Sequence, residues 1–385
     1  MPFPRVHLEE EHEMFRDQVR RYLRDNMAGK VAKWREQGHV DKEDFLAFGR
    51  EGWLCLWADE AYGGLGIRDI RYDQVLQEET VRWTDSGFFH NAHSMLVGPY
   101  LDRFANDEQK SRFLPGAVSG ETVMAIAMTE PDTGSDLAAI RTKAEDQGDH
   151  YLMNGSKTYI SNGIIGDLFV VAAKTGEKRG EIGLFVVTSD MEGFSRGRHL
   201  KKMGLQAQDT AEIRFDNVRV PKENLLGEAG MGFAYMAECL AVERTMSAIG
   251  SLAHAQVAFD ITLDFIKERT AFGQPVGTFQ NTRFVMADLR ARLDATQAWL
   301  DQCVMLANAE KLTPEDAAAL KLVTSELQGE VVDAGLQFHG GAGYMDEYEI
   351  SHMFRDARIA RIYAGTSEIM KEIIGRGLGL GDPRR

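Results

Sequence analysis

HYLMNGSKTYI, residues His150–Ile160, sets the fold class. Two short runs of β-forming residues flank Asn154–Gly155, and that dipeptide between such runs predicts a hairpin turn. LFVVAAK (Leu168–Lys174) and IGLFVVTS (Ile182–Ser189) follow, both rich in β-branched and aromatic residues, and AEIRFDNVRVP (Ala211–Pro221) adds alternation at Ile213, Phe215 and Val218. Strands at this spacing, with no long helices between them, predict an antiparallel barrel or sandwich.

On either side the period changes. Upstream, Leu8, Phe15, Val19, Tyr22 and Leu23 form a helical stripe among charged residues. The pattern continues through Phe45, Phe48, Tyr72, Val75, Leu76, Met95 and Leu101 to about Gly120, interrupted by loops such as AYGGLGI (Ala61–Ile67). Downstream, helices are predicted over Phe233–Arg269, Gln280–Ala309, Pro314–Phe338 and Ile350–Ala360. The order is helical, β, helical: an α+β chain with expected domains at 1–122, 123–232 and 233–385.

The 385 residues carry 59 acidic and 44 basic side chains, a formal net charge of −15. Such a surface repels phosphate backbones and anionic lipid, so neither nucleic acid nor a membrane is an expected partner. Cys55, Cys239 and Cys303 lie far apart, with no metal-ligand or redox spacing, so no metal is expected. The opening MPFPRVHLEEEHEMF has early acids and no apolar signal core, which predicts a cytoplasmic protein or a trimmed mitochondrial matrix protein.

AIAMTEPDTGSD (Ala125–Asp136) leaves an apolar run through Pro, Gly, Ser, Thr and Asp. Taken alone, it fits a hairpin loop as well as a loop whose amides and hydroxyls face a polar cofactor. It resembles the flavin-binding loop of the acyl-CoA dehydrogenase family, usually TEPGAGSD, with Asp132 and Thr133 in place of Gly and Ala. The likeness continues through YGGLG, NGSKTYISNG (Asn154–Gly163), KKMGLQAQDTAE (Lys201–Glu212) and VRVPKENLLGE (Val218–Glu228). It extends to ERTAFGQPVGTFQ (Glu268–Gln280), QFHGGAGYMDEY (Gln337–Tyr348) and IYAGTSEIMKE (Ile362–Glu372), and is greatest to the long-chain and isovaleryl types.

The resemblance implies a C-terminal four-helix bundle and a bound FAD. The residues implied around the flavin are Ile126, Met128, Thr129, Gly134, Ser135, Tyr159, Ile160 and Ser161. Arg269 and Gln280 would meet its charged part, with Thr366, Ser367 and Glu368 beyond them. Gln337, Phe338, His339, Gly340 and Gly341 would reach the flavin of a neighbouring subunit, which implies a homotetramer. An acyl-CoA substrate would lie beside Ser135, Leu240, Arg244, Ala364 and Gly365. The electron acceptor implied is an electron-transferring flavoprotein.

Thioester oxidation of this kind removes a weakly acidic α-proton, so the site needs a carboxylate and a polarised carbonyl. The short- and medium-chain types carry the base in YEGT, but here the motif reads YAGT, with Ala364 in that place. The long-chain and isovaleryl types carry it in an ER dipeptide on the first C-terminal helix, which is Glu243–Arg244 here. Glu243 shares a helical face with Met236, Leu240 and Ser247, where a carboxylate among apolar neighbours has a raised pKa. Ala364 keeps the backbone N–H that the thioester oxygen requires. Two other readings stay open on sequence grounds: a flavin oxidase or monooxygenase that uses dioxygen, and a non-catalytic thioester-binding subunit.

Overall fold

The computed structural model describes residues 4–381. The N-terminal third holds α1 (Glu10–Asn26), α2 (Val31–Gln37), α3 (Lys42–Arg50), α4 (Ile70–Trp83), α5 (Gly98–Phe104) and α6 (Asp107–Ser119). Glu9 and His12 close a capping box at the start of α1, and the Asp69 carboxylate caps α4 by accepting from the Arg71 amide. A π-helical turn, Ala92–Val97, joins α4 to α5. In AYGGLGI, a Cβ at Gly64 would lie 2.0 Å from the Ala58 carbonyl oxygen, so this loop closes only with glycine there.

The middle third is one eight-stranded sheet. Its strands are β1 (Met124–Ala127), β2 (Lys143–Asp146), β3 (His150–Ser161), β4 (Leu168–Lys174), β5 (Ile182–Thr188), β6 (Phe194–His199), β7 (Thr210–Pro221) and β8 (Leu225–Leu226). The spatial order is β6-β7-β3-β2-β4-β5-β8, with β1 paired to β4. Every residue of β4 and β5 except the last of each is buried. Leu168, Val170, Ala172, Leu184 and Val186 face the core shared with the helices, whereas Phe169, Val171, Ala173, Phe185 and Val187 face the core under the outer strands. A strand covered on both sides reads as a continuous apolar run, which is how these two appear in the sequence.

Two details differ from the sequence reading. Asn154–Gly155 makes no hairpin turn; β3 runs straight through it and pairs along its length with β7. The register shifts between Met153 and Gly155, and Asn154 is instead spent on Asn217, whose amide donates to its Oδ1 at 2.8 Å. The dipeptide therefore marks an irregularity in a long strand, and a Cβ on Gly155 would meet Thr142 Oγ1 at 2.5 Å. The sheet is also not wholly antiparallel, since β1 and β2 both run parallel to β4.

The last third opens with α7 (Gly232–Glu268), followed by the small ribbon β9 (Thr270–Ala271) and β10 (Gln274–Pro275). Then come α8 (Gln280–Asn308), α9 (Pro314–His339), α10 (Glu349–Ala357) and α11 (Ser367–Gly377). The three long helices begin and end within about a residue of the sequence expectation, while the helix expected over Ile350–Ala360 gives way to a 3-10 turn at Arg358–Arg361. The largest core runs from Trp57, Tyr100 and Leu114 through β1, β4 and β5 to Met236, Leu252 and Leu327, so the helical thirds and the sheet are packed as one body. No described helix is long and apolar enough to cross a membrane.

Candidate active site

α7 contributes most of one wall of an internal cavity. Glu243, Met246, Ser247, Gly250, Ser251 and His254 recur every three or four residues, so one face of the helix lines it. α4 adds Gln77 and Val81, the π-turn region adds Asn91, Ala92 and Leu96, and Ser161 closes it from the end of β3. Tyr363 and Ala364 complete the wall beside the start of α11. The sequence-assigned base and the Ala that stands in the YEGT motif therefore meet in one cavity.

Glu243 faces that cavity rather than bulk water. Burial pushes its carboxyl up to about 7, against the partial offset of the nearby Arg244 and Lys321 charges. Among the described residues its carboxylate makes no hydrogen bond or ion pair. Ala364 is held at φ 52°, and its N–H has no intrachain acceptor among the described residues. A proton acceptor and a free amide donor thus share the wall of a partly closed site.

Lys321, on α9, was not anticipated. It is fully buried, and its Nζ donates to the Gly365 carbonyl at 2.6 Å, fixing the turn that presents Ala364. Burial and the Arg244 charge together lower its pKa to about 8. A lysine inside the apolar run AAALKLV was the available signal. Arg244 is buried next to Glu243 but does not line the cavity, and Leu240, one turn earlier, is also outside it.

The expected flavin loop is built on a buried ion pair. Lys157 of β3 donates to Glu130 Oε1 at 2.8 Å and to the Met128 carbonyl at 2.9 Å. The same Glu130 carboxylate accepts from the Arg141 and Thr142 amides at 2.6 and 2.9 Å. Glu130 and Thr133 exchange backbone hydrogen bonds across the turn tip, and the Thr158 amide donates to the Thr129 carbonyl. These ties hold Thr129 beside the end of β3, leave Gly134, Ser135 and Tyr159 exposed, and bury Ile160. Ile126 and Met128 are half-buried at the same edge. The amides, hydroxyls and one exposed aromatic ring gathered here suit a neutral, planar heteroaromatic group next to Ser161 and the cavity.

The remaining sequence-assigned residues do not line the cavity. Thr366 caps α11 through its hydroxyl, Ser367 donates to Glu326 at 2.6 Å, and Glu368 is exposed in the first turn. Arg269 and Gln280 are exposed, at the end of α7 and the start of α8. His339 stacks on Phe265 with ring centroids 4.0 Å apart, which sets the exposed Gln337, Gly340 and Gly341 and the half-buried Phe338 near that same end of α7. Arg269 is about seven helical turns from Glu243, roughly 39 Å along the axis. The sequence-assigned set thus includes a group at the cavity, Thr366–Glu368 directly after the Ala364 turn, and a distant group at the Arg269 end of α7.

Three family models match in sequence order. These are the acyl-CoA dehydrogenase N-terminal domain over residues 9–121, the middle domain over 125–218 and the C-terminal domain over 230–379. The chain belongs to the acyl-CoA dehydrogenases. It is 38% identical over 370 residues to the mitochondrial long-chain specific acyl-CoA dehydrogenase of Mus musculus, covering 95% of this chain and 86% of that protein. The crystal structure of an acyl-CoA dehydrogenase from Geobacillus kaustophilus matches with TM-score 0.95 and 41% identity, over 97% of this chain and 100% of that one. A glutaryl-CoA dehydrogenase from Mycobacterium smegmatis, solved in complex with FADH2, matches with TM-score 0.91 and 27% identity over 98% and 97%. As an acyl-CoA dehydrogenase, this chain is an oxidoreductase acting on acyl-CoA, and the family uses FAD.

Proposed function

We propose that the protein oxidises a long or branched acyl-CoA to its trans-2-enoyl thioester, with Glu243 as the base. The observation that carries this reading is the placement of the unpartnered Glu243 carboxylate and the free Ala364 N–H on one cavity wall. With the thioester in place, the Ala364 amide donates to its carbonyl oxygen and stabilises the charge that develops when the α-proton leaves. Glu243 accepts that proton; a carboxylate of pKa near 7 matches the task better than an ordinary one would. Lys321 keeps the turn in register through the Gly365 carbonyl, and Tyr363 helps to shield the site from water. Thr129, Ser135, Tyr159 and Ser161 would hold FAD, which would supply the acceptor for the β-hydride.

The extent of the cavity supports a long chain, since its α7 wall continues eleven residues past Glu243 to His254, about 16 Å. A homo-oligomer, proposed as a tetramer, would bring the exposed Arg269 and Gln280 and the segment Gln337–Gly341 of one copy to the cofactor of another. An electron-transferring flavoprotein would then collect the electrons. The dioxygen-using alternative has no need of a carboxylate placed as Glu243 is. Anaerobic titration with acyl-CoA thioesters tests the reading: bleaching of the flavin by long or branched chains is expected. Reduction confined to butyryl-CoA, or to carrier-protein thioesters, would overturn the chain-length assignment.

A further inference from the structure

The end of the cavity remote from Glu243 is polar. Gln77 from α4 and Ser251 and His254 from α7 line it, and all three are at least nine-tenths buried. Among the described residues, Gln77 Oε1, Ser251 Oγ and both ring nitrogens of His254 have no hydrogen-bond partner. The Gln77 amide lies against Gly250, as a Cβ built there would sit 3.3 Å from its Nε2, which sets it beside the stretch of α7 that carries Ser251 and His254. Leaving a buried polar group unsatisfied is unfavourable, and a pocket meant only for a hydrocarbon tail is more stably built from apolar side chains.

We infer that the acyl chain of the preferred substrate carries a neutral hydrogen-bonding group, such as a hydroxyl or a ketone, well along the chain from the thioester. The inference rests on the acyl-CoA dehydrogenase reading above and names its substrate class. Helical rise puts Ser251 and His254 about 12–16 Å beyond Glu243, which fixes where on the chain the group belongs. The chemistry of the cluster fixes its charge. Burial pushes His254 down to about 4, so the ring is neutral, with one donor and one acceptor nitrogen. No Lys or Arg is among the described residues lining the cavity, so none of them would neutralise a carboxylate. A hydroxyl can donate to one partner and accept from another, which suits Gln77, Ser251 and neutral His254 together.

The test compares hydroxystearoyl-CoA bearing a mid-chain hydroxyl with stearoyl-CoA, by anaerobic flavin bleaching and by thermal shift of the holoenzyme. The expected result is a kcat/KM at least roughly tenfold higher for the hydroxylated chain, with a larger thermal shift. His254→Leu and Ser251→Ala should each cut that preference, read as the ratio of the two kcat/KM values, about two- to tenfold, with flavin content retained. His254→Gln, which keeps a donor and an acceptor, should preserve part of the preference and controls for misfolding. Equal or better turnover of stearoyl-CoA by the parent, with a ratio unmoved in the variants, would overturn the inference and leave the dehydrogenase reading intact. If neither thioester reduces the flavin, that reading falls and the inference falls with it.

Discussion

At Glu243 one carboxyl group sets both the chemistry and a stability term. Its folded pKa of about 7 lies above the ordinary value of 4.5, so the folded state binds more protons between those pH values. Stability contributed by the neutral form is therefore complete below about pH 4.5 and is lost as pH rises to 7. Activity runs the other way, because only the ionised form accepts a proton, so kcat/KM should rise through about pH 7. Glu243→Gln should slow anaerobic flavin reduction by about 10²–10⁴-fold and remove that rise, with substrate still binding. The same variant should be more stable than the parent above pH 7, on the order of 3 kcal/mol by denaturant titration. Flavin reduction at the parental rate in Glu243→Gln would place the base elsewhere. Adding a carboxylate through Ala364→Glu in that background should restore part of the rate, since position 364 borders the same cavity.

Single elements decide how much of this could be read from sequence. The base was legible because Glu243 shares a helical face with Met236 and Ser247 and belongs to a family dipeptide. The paired strands β4 and β5 were legible from their apolar runs. Asn154–Gly155 misled because local turn chemistry competes with strand pairing, and nine register partners between β3 and β7 outweigh one favoured turn. The polar cluster was not legible at all, since Gln77 comes from α4 and Ser251 and His254 from α7, and only the packing of those helices joins them. Glu130 and Lys157 likewise meet only because β3 returns beside β1. Their pairing predicts that Lys157→Met destabilises the protein by about 3 kcal/mol, the low end for a broken buried pair, because two backbone amides still serve Glu130. Thermal unfolding would measure this, and flavin should be lost more readily as the loop at Thr129–Ser135 loosens. Parental stability with full flavin retention would show that the ion pair does not order the loop.

For the molecule as a whole, α7 acts as a spacer. It carries Glu243 near one end and delivers Arg269 and the Phe265–His339 stack at the other, about 39 Å away. That exposed end presents a cation, two amide side chains and open glycine backbone at Gly340 and Gly341. Those groups suit phosphate and adenine, and in the proposed tetramer they would reach the flavin of a second copy. Cofactor retention should therefore depend on assembly. On dilution, flavin occupancy and sedimentation coefficient should fall together, because dissociation removes part of each site. Arg269→Ala should weaken flavin binding about tenfold, the cost of one lost charge-assisted contact, without altering Glu243 or the cavity. Flavin-loaded Arg269→Ala should still be reduced by substrate at close to the parental rate, separating retention from chemistry. A stable monomer that keeps its full complement of flavin, or an Arg269→Ala protein that retains flavin as tightly as the parent, would remove the role assigned to this surface.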